Sequence, residues 1–379
     1  MLTYCGNVHA AEDLDSWLDT TRRFAGPLAA RRRAAGQPFG LGTWWNAATV
    51  ALLHGDPAAR DRVRSLLAAE GLSIWTLNVF PFGAFHRGPV KTAVYAPDWA
   101  DESRLMYTRQ AAEVLADLGS EQPCVPLSTL PLAFEPRDPR VLARNLARAA
   151  SHLHAVEAAS GLHMVLLLEP EPFCQLETVA QAIEFFETWL LREGAWTVPE
   201  ERLRRHLGVC VDLCHLAVVG EDALDALDRL DAAGIRCAKI QVSACVEVRR
   251  PEGLDRLLEF DEPVYLHQTV AADGARALDL PEVAVRRTEF AAAGPLRTHF
   301  HVPVFWDDPG PLGSTRAELE RVLRGLPGRS RAVPLLEVET YTWDVLPGFV
   351  RGEAALLDGI DAELRFVDAQ LGGDSPASS

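Results

Sequence analysis

Seven short runs rich in Val, Ile and Leu, each followed by a longer polar–apolar segment, constrain this chain most. The runs are 2–9, 39–45, 72–80, 124–131, 163–172, 207–215 and 235–245. The intervening segments, such as "RVLARNLARAASHLHAVEAASG", repeat apolar residues every three or four positions, the spacing of a helix with one buried face. Gly161 and Gly234 stand where such helices should stop before the next strand. Strands apolar on both faces that alternate with helices predict a parallel sheet covered by helices. Seven of them within 245 positions crowd an open sheet and suit a closed (β/α)8 TIM barrel.

Two late runs compete for the eighth strand, "THFHVPVF" (298–305) and "VPLLEVETYTW" (333–343). We place "LLEVET" as the closing strand and "HFHVPVF" in an insertion between strands seven and eight. Residues 1–370 are then expected to form a single barrel domain, and 371–379, ending in "GGDSPASS", a disordered tail.

Composition narrows the function. A net charge of −16 and a pI near 5.2 argue against a nucleic-acid surface, which needs a basic stripe. No apolar run approaches the ~20 residues of a membrane span, and "MLTYCGNVHAAEDLD" lacks a signal-peptide pattern. The seven cysteines are odd in number, form no CxxC pair and sit mostly in apolar segments, so they read as reduced core residues. A cytoplasmic protein without nucleic-acid partner or membrane insertion is expected.

In such a barrel the active site lies at the C-terminal strand ends. Strand five ends in Glu169, strand six carries Asp212 and then His215, strand seven carries Gln241, and the proposed eighth strand carries Glu337. Three carboxylates and an amide on neighbouring strands would repel one another without a cation, whereas a hard divalent metal wants such oxygen ligands. Singly, each has a bland reading: Glu169 as a paired or capping residue, His215 as a hydrogen-bonded core histidine. Asp212, mid-strand and flanked by apolar residues, has the fewest alternatives.

The strings "LLLEPEP", "VCVDLCH", "AKIQVS" and "LLEVET" resemble the strand-end pattern of the xylose-isomerase-like TIM-barrel superfamily of sugar isomerases and epimerases. Over nearly the whole chain, "TYCGNVH", "NVFPFGAFHRGPVKTAVYAPDW", "STLP", "THFHVPVF" and "LLEVETYTWDVLP" are similar to the EboE type of metabolite traffic proteins. The resemblance implies one divalent ion (Mn, Co, Mg or Zn) held by Glu169, Asp212, Gln241 and Glu337, with His215 beside it.

Such a metal chelates adjacent hydroxyl and carbonyl oxygens of a polyol and stabilises an enediolate. Glu169 and Glu337 would move the proton, and His215 would orient a ligand or substrate oxygen. The expected function is a metal-dependent isomerase or epimerase of a small polyhydroxy metabolite, with dehydration closely related. The alternatives are a phosphoester hydrolase with two or three metals, and a barrel that binds a metabolite without converting it. His299 and His301 share one strand face and are candidate substrate or second-metal ligands, or simply a half-exposed face. His86 and Trp44 are further candidates for substrate contact, with His9, Lys91, His267, Trp45 and Trp343 behind them.

Overall fold

The computed structural model describes residues 1–86, 88–193, 197–329, 331–343 and 352–372. Eight parallel strands form a barrel: β1 (Leu2–Tyr4), β2 (Leu41–Trp44), β3 (Ile74–Asn78), β4 (Val125–Thr129), β5 (Met164–Leu168), β6 (Leu207–Asp212), β7 (Arg236–Val242) and, last in the chain, β13 (Leu335–Val338). Each pairs with its sequence neighbour from β2 to β7. β13 lies between β7 and β1, with Glu337 opposite both Gln241 and Thr3. A bridge between Cys5 and Gly42 joins the two ends of this order. The chain is thus a (β/α)8 TIM barrel.

The strands are buried on both faces because helices cover the outside and side chains fill the inside; β5, Met-Val-Leu-Leu-Leu, has no exposed residue. The helix Pro139–Ser160 shows how local sequence sets these elements. Asp138 accepts from the Arg140 N–H, Pro139 takes the first position where no N–H is needed, and Gly161 ends the helix at φ 78°. Its Leu142, Leu146, Ala149 and Leu153 are buried at helical spacing. Each fully buried leucine contributes roughly 1.5–3 kcal/mol.

Between β7 and β13 the chain leaves the barrel pattern. Strands β8 (Ala244–Val248), β9 (Thr269–Ala271), β10 (Arg276–Ala277), β11 (Leu296–Val302) and β12 (Leu312–Ser314) make a second, antiparallel sheet in the order β10-β9-β11-β8-β12. β11 packs on the helix Leu213–Val219 that follows β6, and Cys214 Sγ lies 3.7 Å from the Phe300 carbonyl oxygen. That contact carries His299 and His301 to the mouth of the barrel. The helix Glu353–Leu371 packs beside β1. Of the expected tail, 373–379 lies outside the described residues. No described helix is long and apolar enough to cross a membrane.

Candidate metal centre and pocket

Asp212 is the last residue of β6 and also the N-cap of the next helix. Its Oδ1 accepts from the His215 N–H at 2.8 Å and from Ser243 Oγ at 2.9 Å. Capping fixes the carboxylate's orientation, because one oxygen is committed to the helix terminus. The other oxygen, Oδ2, is buried without a hydrogen-bond partner. Glu169, one residue beyond β5, is held by its N–H to the Thr129 carbonyl, and its Oε2 is likewise buried and unpartnered. Glu339, one residue beyond β13, receives Asn7 Nδ2 at 2.7 Å on Oε1. One oxygen from each of Glu169, Asp212 and Glu339 lies within 4.8 Å of the other two.

Burial, and then repulsion from neighbouring carboxylates, pushes two of them up: Glu169 well above the ordinary carboxylate range and Glu339 to about 8. Three adjacent buried carboxyls, two of them with an unsatisfied oxygen, are a set that a divalent cation would satisfy.

A histidine cluster adjoins them. The Nε2 atoms of His215 and His299 are 3.2 Å apart, and those of His299 and His301 are 3.0 Å apart. Each Nδ1 faces an oxygen acceptor: the Pro170 carbonyl at 3.0 Å, the Gln268 side-chain oxygen at 2.7 Å and the Glu339 carbonyl at 3.1 Å. A carbonyl can only accept, so each Nδ1 carries the proton and each Nε2 presents a lone pair. Burial lowers His299 well below the ordinary imidazole value and His301 to about 4, so both are neutral. The Nε2 atoms of His215 and His301 each face that of His299, which the Tyr341 hydroxyl also approaches at 3.4 Å, and a cation at these atoms would relieve the repulsion between lone pairs. Imidazoles bound at about 2.0–2.1 Å around a tetrahedral ion stand roughly 3.3 Å apart, close to the spacing seen. Asp212 Oδ2 is 3.9 Å from His301 Nε2, so Asp212 connects the imidazole group to the carboxylate group.

Both groups open onto a pocket at the barrel mouth with about 590 Å³ of empty space, part of it continuous with solvent. The apolar part of its lining includes Phe80, Phe85, Tyr95, Tyr265 and Tyr341, and the ring centroids of Tyr265 and Tyr341 are 4.9 Å apart. Its polar part is Asn7, Asn78, Lys91, Glu171 and the cluster itself. Lys91 is paired with Asp279 at 2.7 Å.

The structure thus brings Glu169, Asp212, His215, His299 and His301 together, but not every expected residue. Glu337 lies two residues deeper in β13, inside the barrel, where Lys239 Nζ is 2.6 Å from its Oε2. Glu337 and Glu339 point to the same side by alternation, and Glu339 is the one at the mouth. Gln241 is fully buried on β7 opposite Glu337, and neither its Oε1 nor its Nε2 has a hydrogen-bond partner. His86 does not line the pocket; its Nδ1 is 2.8 Å from the Tyr265 hydroxyl. Trp44 is buried behind it, against Phe85. His9 pairs with the Tyr4 hydroxyl, His267 with Glu262, and Trp343 packs over Gly359.

Several site residues gave little sequence signal. Glu339 was visible as the second acid of "LEVET". Tyr95, Glu171 and Gln268 form a network behind His299, with Gln268 Nε2 3.0 Å from the Tyr95 hydroxyl, and only Glu171, in "EPEP", stood near a predicted strand end.

A sequence profile described as "Xylose isomerase-like TIM barrel" matches residues 43–268. No curated protein matches the chain significantly in sequence. Among solved structures it is similar to a xylose isomerase domain protein from Planctomyces limnophilus (14 % identity, 88 % of this chain and 90 % of that one, TM-score 0.47). It is also similar to a zinc-bound IolI protein (12 %, 98 % and 97 %, TM-score 0.43). A third is the apo 3-keto-D-glucoside 4-epimerase of E. coli (14 %, 63 % and 78 %, TM-score 0.38). At these identities the likenesses carry no assignment of activity.

Proposed function

The chain belongs to the xylose isomerase-like TIM barrel family, and from that premise we propose that it is a metal-dependent isomerase or epimerase of a small polyhydroxy carbonyl compound. The observation that carries this reading is the close set of Glu169, Asp212 and Glu339 oxygens beneath an aromatic-lined pocket. Glu339 replaces Glu337 in the proposed set, since Lys239 already neutralises Glu337. A divalent ion bound there supplies a Lewis acid that polarises a substrate carbonyl and lowers the acidity barrier of the adjacent C–H.

The chain's own groups do the rest. Tyr265 and Tyr341 offer faces against which the C–H side of a sugar or cyclitol packs. Asn7 and Asn78 offer hydrogen bonds to hydroxyls. Glu169 and Glu339, both in the lining, accept and return the substrate proton. The neutral imidazoles and aromatic rings keep bulk water from that proton while it is held.

The test is proton exchange. Protein purified without chelator, in D2O, should wash deuterium into the carbon next to the carbonyl of a substrate drawn from aldoses, ketoses and keto-cyclitols. Glu169→Gln and Glu339→Gln should abolish the wash-in. Metal bound but no exchange across that set would sink the reading.

One observation favours a second reading. Asp212, His215 and His301 offer a second, nitrogen-rich position that shares Asp212 with the oxygen one, and paired ions are suited to hydrolysing a phosphoester. Two or more ions per chain with phosphate release, and no deuterium wash-in, would establish that reading instead.

A further inference from the structure

At the opposite, N-terminal rim of the barrel we propose a second and independent site for a zinc-like divalent ion, formed by His154, Glu157 and His206. His154 and Glu157 are three apart on the helix Pro139–Ser160 and therefore share a face. His206 ends the helix Glu200–His206 immediately before β6. One ligand atom from each lies within 4.8 Å of the other two.

His206 points to a ligand on its own. It is fully buried, and its Nδ1 lies 2.9 Å from the Met164 carbonyl oxygen. The carbonyl fixes the proton on Nδ1 and leaves Nε2 as a lone pair, the arrangement that metal-bound histidines show. That Nε2 makes no hydrogen bond. It lies 3.4 Å from Glu157 Oε2, which matches the roughly 3.3–3.5 Å between two ligands of a tetrahedral zinc ion. Burial disfavours the charged form of this imidazole. His154 Nδ1 is also buried without a hydrogen bond, and the His154 and His206 ring centroids are 5.6 Å apart.

Arg205 holds both Glu157 oxygens, its Nε at 2.8 Å from Oε2. Each carboxylate oxygen has a second lone pair, so Arg205 serves as the outer partner that ligating carboxylates usually have. Without an ion, the buried Nε2 of His206 stays unsatisfied, which costs about 1–3 kcal/mol. With His154 partly exposed, three protein ligands and a water complete the set, and the ion can exchange with solvent.

The experiment uses the full untagged chain, stripped of metal and reloaded with Co2+. Asp212→Ala removes a ligand of the centre at the other rim, and cobalt that remains in that variant but depends on His154 and Glu157 reports the new site. One tetrahedral Co2+ per chain, with its visible absorption, is expected in Asp212→Ala and lost when His154→Ala or Glu157→Gln is added. Equal cobalt content and spectra with and without either addition would overturn the proposal. Should Asp212→Ala not fold, the same loss of one ion is read by comparing His154→Ala with the unaltered chain. His154 is on a partly exposed helix face and its removal leaves the barrel core intact.

Discussion

Lys239 Nζ lies 2.6 Å from Glu337 Oε2, with both side chains fully buried inside the barrel. Lys239 Nζ donates a second hydrogen bond to Ser128 Oγ at 2.9 Å. Removing one partner of a buried pair strands the other charge, a loss of about 3–5 kcal/mol. Glu337→Gln should therefore lower stability by that amount in urea unfolding while leaving the metal content of the pocket unchanged. Glu339→Gln should do the reverse, losing metal with a small change in stability. If Glu337→Gln removes the ion and Glu339→Gln does not, the ligand is Glu337.

Gly42 sits where β2 meets β1. A Cβ there would lie 2.0 Å from Glu337 Oε1 and 2.5 Å from the Tyr4 carbonyl oxygen. The backbone contact cannot yield by rotating a side chain. Gly42→Ala is thus expected to cost about 1–3 kcal/mol by overpacking, seen as a lowered Tm. An unchanged Tm would show that the joint between β1 and β2 is looser than the structure has it.

The barrel was legible because its signal is repetitive: buried strands and amphipathic helices recur at fixed intervals, and an error at one boundary leaves the rest standing. Glu169 and Asp212 were legible for a different reason. Each interrupts an apolar run, and a carboxylate in such a place has to be explained. Depth along a strand was harder. Alternation fixes the side to which Glu337 and Glu339 point, but how far a strand projects depends on its stagger against β7 and β1, a property of three strands together. His299 and His301 were visible as a same-face pair. Their meeting with His215 depends on β11 folding back over the helix Leu213–Val219, which nothing local in "THFHVPVF" encodes. Trp44 and His86 had suitable chemistry near strand ends, yet packing turned both away from the pocket lining.

Gln268 is the acceptor that orients His299. Its Oε1 lies 2.7 Å from His299 Nδ1, and its Nε2 is held by the Tyr95 hydroxyl. Outer partners of this kind typically account for 10–100-fold in metal affinity. Gln268→Leu keeps the volume and removes the acceptor, so for an ion ligated by His299 a loss of about that size is expected in a competition titration with a zinc chelator. Affinity equal to that of the unaltered chain would mean His299 is not a ligand.

Glu363, on the last helix, tests how the barrel mouth responds to pH. Burial pushes its carboxyl up to about 8, against hydrogen bonds from Thr340 Oγ1 and the Val304 N–H. Below an unfolded value of about 4.3, folded and unfolded chains both hold this proton, and it adds no pH dependence. Between there and about 8 only the folded chain holds it. Each rise of one pH unit in that window then removes up to about 1.4 kcal/mol of stability, and above 8 the loss levels off. Glu363→Gln keeps a neutral group of the same shape and has no proton to lose. Its stability, measured by urea unfolding at several values between pH 5 and 8.5, should fall less steeply than that of the unaltered chain. Parallel curves would mean that Glu363 is already ionised at pH 5 in the folded protein.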